Sequence, residues 1–471
     1  MPFRCRRTLG IVTALVVLAF TLALAHEPPP VRVLAEAIPG ASAEFAADLL
    51  IRVAESPAAA KESAEWRADL LEQAFQLAAS APDPLPHYLR RDPRARSRIN
   101  PIGQAERLDA LSLQVRAFNA LFDLRRERAV ELAGTLDVRV GVLTCGDLTV
   151  PNPAGAFDVA RHSYDLLERQ VLSVHSSTQL APAFEAILSA DLSPPESRRL
   201  LTALGSTMRS LGDDDVSFTD TLGPTWAAVT HVMSSVDDQS FAAFMLDALR
   251  AYLVLHLSGS RCASPAPVRP GPAAESDILA EVDQTLSKWD RPRLSLRERT
   301  AARRVEPVRD TRHREGLFGD TLLWQTHASK NLLAQVAALR AHNQSGRPVD
   351  DGRPPEWNER LSQVYAAMAA WSRRDEPSVD DYLRERAILL EMLVDVIPSG
   401  SDRLRALGDL LAFLKSDGRQ LFGNNMWASR LRSMIDTCRN SPTEWDWLMR
   451  AMLDSGDSVM RLYAQLEQLP S

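Results

Sequence analysis

Lysine is almost missing from this chain. Of 54 basic residues only Lys61, Lys288, Lys330 and Lys415 are lysine, and they face 61 acids, for a net charge of −7. A net acidic chain is a poor partner for nucleic acid or for an anionic bilayer, since both recruit positive charge. The arginine excess accompanies abundant alanine and proline, the signature of a GC-rich genome, and has no functional weight by itself. Also absent are H-E-x-x-H, C-x-x-C, G-x-S-x-G, G-x-x-x-x-G-K-[ST] and G-x-G-x-x-G. Their joint absence disfavours a zincin protease, an α/β-hydrolase, a P-loop NTPase and a nicotinamide enzyme. No cofactor is expected. No metal site is expected either: His162, His175, His231, His256 and His327 are scattered, with no two at i, i+4.

The chain has one long apolar run, at its start. Arg4, Arg6 and Arg7 precede an apolar stretch from Leu9 to Leu22, and Ala23-Leu24-Ala25 is a small-x-small site before His26. This predicts a cleaved secretory signal over residues 1–25 in preference to the alternative, an uncleaved anchor, because the run falls short of the ~20 residues that span a bilayer. The predicted location is therefore the periplasm or the exterior of a bacterium, with no membrane span after cleavage. Cleavage leaves a charge of 51 − 61 = −10. It also leaves three cysteines, Cys145, Cys262 and Cys438, an odd number that excludes complete internal pairing. Cys145 and Cys262 both lie in loop-like surroundings and form the preferred disulfide; three unpaired thiols are the alternative.

What remains is helical. In residues 42–81, Phe45, Leu49 and Val53, then Trp66, Leu70, Ala74 and Leu77, recur at helical spacing on either side of Ser56-Pro57. The unit is an α-hairpin of two amphipathic helices. Similar patterns recur over about 103–134, 156–173, 179–190, 195–211, 224–236, 238–258, 317–341, 356–373, 379–397, 401–416, 424–439 and 443–467. Capping boxes mark Ser193/Glu196, Ser378/Asp381 and Ser441/Glu444. Asp137 to Val150 alternates and reads as either a small β-hairpin near 138–150 or a structured loop. The expected fold class is all-α, built of packed helical hairpins in an irregular α-solenoid or two helical bundles. The proline-rich stretch 260–274 is the predicted linker between an N-terminal lobe (26–259) and a C-terminal lobe (275–471) holding seven of the nine tryptophans.

Candidate chemistry is sparse. The segment 291–314 offers Arg297, Arg304 and Arg314 to grip carboxylates or phosphates, although interspersed acids fit a solvated connector. The same bland reading fits the basic loop at Arg90–Arg98 and the acidic run Asp213-Asp214-Asp215. Cys438 lacks a nucleophile context. Exported helical proteins of this size include carbohydrate-active enzymes, glycoside hydrolases or lyases built as an (α/α) ring. Those need two opposed carboxylates and aromatic platforms, for which Glu356, Glu359 and Glu444, each near a tryptophan, are the candidates. Capping and core packing explain the same residues without catalysis. The leading expectation is a non-catalytic scaffold that binds a protein or peptide of the cell envelope, and the alternative is the carbohydrate-active ring. Mass spectrometry of exported protein should find a chain beginning at His26; a retained N-terminus would contradict the cleavable signal.

Overall fold

The computed structural model describes residues 31–81, 108–136, 153–211, 218–258, 260–262, 273–294, 303–305, 324–344 and 355–470. The signal segment, the basic loop, the 138–150 segment, the 213–215 acids, Cys145, Arg297 and Arg314 lie outside them. The fold is all-α. Nineteen α-helices among the described residues pack on one another, and a single short ladder joins β1 (Ser260–Cys262) in parallel to β2 (Arg303–Val305).

The first helices are α1 (Val31–Ala37), α2 (Ala43–Glu55), α3 (Ala64–Ala78), α4 (Ala110–Phe122) and α5 (Arg126–Ala133). The hairpin predicted over 42–81 is α2 and α3, packed side by side. Its first helix is not amphipathic in the expected way. Every residue from Glu44 to Ile51 is buried, because Ala46, Ala47, Leu50 and Ile51 are covered as fully as Phe45 and Leu49. A helix apolar all round belongs inside a core.

The middle helices are α6 (Pro153–Ala160), α7 (Tyr164–Leu172), α8 (Leu180–Ser189), α9 (Pro194–Ser210), α10 (Phe218–Ser235), α11 (Gln239–Ser258) and α12 (Ala273–Lys288). The single helix expected over 156–173 is two, broken at Arg161–Ser163. The predicted cap of α9 forms: the Glu196 carboxylate accepts from the Ser193 backbone N–H at 2.9 Å and from its hydroxyl at 2.6 Å. At α11, Asp238 accepts from the backbone N–H groups of Ser240 and Phe241, satisfying donors that have no partner within the helix. Gly205 lets α9 and α11 approach closely, since a Cβ there would lie 2.7 Å from Phe244 Cε1.

The last helices are α13 (His327–Gln344), α14 (Pro355–Ala370), α15 (Val379–Val396), α16 (Ser401–Phe413), α17 (Arg419–Arg439), α18 (Pro442–Leu453) and α19 (Ser458–Glu467). Between α16 and α17 the chain makes a π turn at Leu414–Gly418, and Gly423 (φ 68°) kinks α17. The helix expected over 443–467 divides near Gly456 (φ 75°), a conformation that costs glycine little. Ser378 caps α15 as predicted, accepting from the Asp381 N–H at 3.0 Å. The box predicted at Ser441 does not form. Ser441 makes no side-chain cap, and Glu444 turns inward, where its buried carboxylate faces the Arg403 guanidinium.

The apolar side chains gather into two clusters that do not follow a division at 260–274. One unites residues 31–133 with 332–464. The other holds most of residues 157–294. Helix α6 touches both, giving Val159 to the first and Phe157 and Ala160 to the second. The first cluster exists because α1 and α2 pack against α19, so the two ends of the described chain meet. Phe45 sits edge-on to Trp427 (5.4 Å) and Tyr463 (6.4 Å), and the Arg419 guanidinium covers the Trp427 ring at 4.2 Å.

At the centre of this closure Asp48 is fully buried. Its carboxylate accepts from Arg52 Nε (3.0 Å), Arg116 Nη1 (2.7 Å), Arg432 Nη2 (2.6 Å) and Tyr463 Oη (2.9 Å). Burial alone would push its pKa up, but Arg432, Arg52 and Arg116 outweigh burial and hold it well below the usual carboxylate range. A depressed folded-state value stabilises the fold above the unfolded value of ~3.9. That contribution fades as pH falls towards the folded value. Asp48→Asn should therefore lower the unfolding free energy at neutral pH by about 3 kcal/mol, the cost of breaking a buried ion pair. In urea titrations the gap from wild type should narrow below about pH 4. An unchanged midpoint at neutral pH would contradict this.

Candidate functional site

Of the residues singled out from sequence, those that are described are not brought together. Glu356 and Glu359 lie in the first turns of α14 and are exposed. Arg360 stands 3.9 Å from Glu356, and Gln363 donates to Glu359 at 3.4 Å. Glu444, in the first turn of α18, is buried and faces Arg403 Nε at 3.4 Å. These are a solvated helix start and an internal ion pair, not opposed carboxylates across a cleft. Arg304 lies on β2 in register with Arg261, and Cys262 on β1 in register with Val305. All nine tryptophans are described, and each is buried or half-buried. The Cys438 thiol is buried and free. Burial pushes it up to about 11, the charge of Glu444 adds to this and Arg403 opposes it, so the nucleophilic thiolate is suppressed.

Two other places carry chemistry. The first is a cleft of about 330 Å3 where α15, α16 and α17 meet. Glu391 and Asp395, one turn apart on α15, form one wall. Ser429, Ser433 and Thr437, spaced four apart on α17, form the other. Val394, Leu410 and Met434 supply its apolar lining. Arg430 also lines the cleft, paired with Glu391, its guanidinium 3.9 Å over the Phe422 ring. Burial lowers its pKa to about 10, and its Nε has no acceptor. Asp395 has no ion-pair partner among the described residues, so the cleft keeps one uncompensated negative charge.

The second place is enclosed. Glu376, in the turn before α15, and Asp381 and Glu385 on α15 are buried together with Arg384, whose Nη1 is 3.9 Å from Asp381. Glu376 Oε1 accepts from Trp371 Nε1 (2.8 Å) and Thr326 Oγ1 (2.7 Å). Glu385 Oε1 accepts from the backbone N–H of Trp324. Both Oε2 atoms are buried without a partner. Burial pushes Glu385 up to about 7; the Trp324 N–H opposes that rise and the charge of Glu376 adds to it.

Sequence reasoning missed both places. Glu385 had a visible signal, three residues after Tyr382 and four before Leu389, an acid on an apolar stripe. The cleft had none, because three helices must meet to form it. Among the described residues no group of three histidines, cysteines or acids is placed to hold a metal. Comparison with known family models, with curated proteins and with solved structures finds no match to this chain.

The geometry separates the three glutamates by cost. Replacing Glu356 and Glu359 together with Gln should change the unfolding free energy by no more than about 0.5 kcal/mol, as for other surface sites. Glu444→Ala, which strands Arg403, should cost about 3 kcal/mol. Equal costs in urea unfolding would contradict the placement.

Proposed function

We propose that this chain is an exported helical scaffold that binds a segment of another envelope protein, with the cleft between α15, α16 and α17 as its seat. The cleft carries the proposal. It has the size of a small recognition pocket, and its walls offer two carboxylates and three hydroxyls around an apolar lining. A surplus of acceptors and one uncompensated negative charge favour a partner that brings donors and positive charge, such as a lysine or arginine side chain on an extended or helical segment. Acidic partners would meet Glu391 and Asp395 and be rejected by like charge.

The carbohydrate-active alternative draws little support. Its aromatic platforms would have to come from tryptophans none of which is fully exposed, and its carboxylates from residues that do not oppose one another. Selection of random displayed peptides on the full chain tests the proposal. Wild type should enrich peptides carrying lysine or arginine, and the Glu391→Gln/Asp395→Asn variant should lose that enrichment and bind the selected peptides at least about fivefold more weakly. Enrichment of acidic peptides, or binding indifferent to the variant, would overturn it. Acrylamide quenching adds a control: peptidoglycan fragments and polysaccharides should leave the tryptophans as accessible as before, whereas protection by a sugar would favour the enzyme.

A further inference from the structure

The enclosed acids around Glu385 are used neither by the cleft nor by the Asp48 closure. Buried carboxyl groups in native proteins normally have every oxygen partnered. Here Glu376 and Glu385 each bind through Oε1 only. Both converge on one short segment, Trp324–Thr326, which leads into α13. Trp324 itself has φ 67°, a left-handed conformation that a bulky side chain rarely adopts. Its backbone N–H is held there by Glu385.

We propose that Glu376 and Glu385 form an acid pair that carries one proton, on Glu385, and pins the 324–326 corner against α15. Loss of that proton above neutral pH loosens the corner. With Glu385 neutral, the cluster holds the charges of Glu376 and Asp381 against that of Arg384. Ionising Glu385 adds a third buried negative charge with, among the described residues, no further buried cation from α15 or from the 371–378 turn. Arg373, Arg374 and Asp375 in the turn, Arg386 and Asp395 on α15, and His327, Lys330 and Arg340 on α13 are exposed. Thr326 and Ser329 contribute hydroxyls only, and that of Ser329 bonds Glu385 and, like the Trp324 N–H, opposes its rise. Further along α15, Glu391 is engaged by Arg430.

The direction follows from linkage. Glu385 in the folded chain holds its proton to about pH 7, above the ordinary glutamate value of ~4.3. The stabilisation from the neutral form is therefore complete below the ordinary value and is lost as pH rises through about 7.

The test is a pH titration of the full chain from about pH 5 to 9, read by tryptophan fluorescence and by the infrared band of a protonated carboxyl group. Wild type should show a fluorescence transition near neutrality, from Trp324 and Trp371, with loss of the carboxyl band over the same range. Glu385→Gln should abolish both. Glu376→Gln, which removes the neighbouring charge, should keep the transition but move it to lower pH. Should Glu385→Gln fail to fold, the shift in Glu376→Gln still decides the matter. A wild-type carboxyl band that does not change across neutrality would overturn the proposal. So would a transition that persists in Glu385→Gln, or one that Glu376→Gln leaves in place.

Discussion

The structure depends on one buried charge. Asp48 stands in the middle of a helix that is apolar on every side, where an unpaired carboxylate would cost far more than the few kcal/mol by which domains are stable. Three arginines and a tyrosine remove that cost, and they come from different stretches of the chain: Arg52 from the same helix, Arg116 from α4, Arg432 from α17 and Tyr463 from α19. Satisfying Asp48 therefore requires the last helices to fold back onto the first. Apolar packing supplies the bulk of the driving force through Phe45, Trp427 and Tyr463. The carboxylate fixes which faces meet, because packing alone tolerates many arrangements.

This closure explains why order along the chain is a poor guide to domains here. The second cluster, over 157–294, is inserted between two parts of the first. An open solenoid keeps its end repeats apart, whereas here the terminal helices are neighbours and α6 is shared by both clusters.

Local features were legible in the sequence. Periodicity placed most of the helices, though not α1, in a proline-rich stretch that reads as extended, nor α12, and Ser193/Glu196 and Ser378/Asp381 placed helix starts, since both signals act within a turn or two. Breaks at Arg161–Ser163 and at Gly456 were less visible, because the apolar pattern continues across them, whereas the interruption between α16 and α17 was already marked by the gap between the patterns at 401–416 and 424–439. The pairing of clusters was not legible. An apolar stripe states that a face is buried and not against what. Glu444 shows the same limit on a smaller scale: it fits a capping box by spacing, yet a guanidinium on another helix claims it. The acids that matter most, Asp48 and Glu385, stood out only as charges at apolar register. The arginines that answer Asp48 from α4 and α17 lie 68 and 384 residues away.

The most direct test of the closure is a double-mutant cycle between Asp48 and Arg432, using Asp48→Asn and Arg432→Met and reading unfolding free energies in urea at neutral pH. Residues in contact within one network show coupling of roughly 0.5–3 kcal/mol. For this buried, charge-assisted pair the account predicts about 2 kcal/mol, with the double variant far less damaged than the sum of the singles. Additive effects would mean that the first and last helices do not meet through this carboxylate, and the shared core would have to be abandoned.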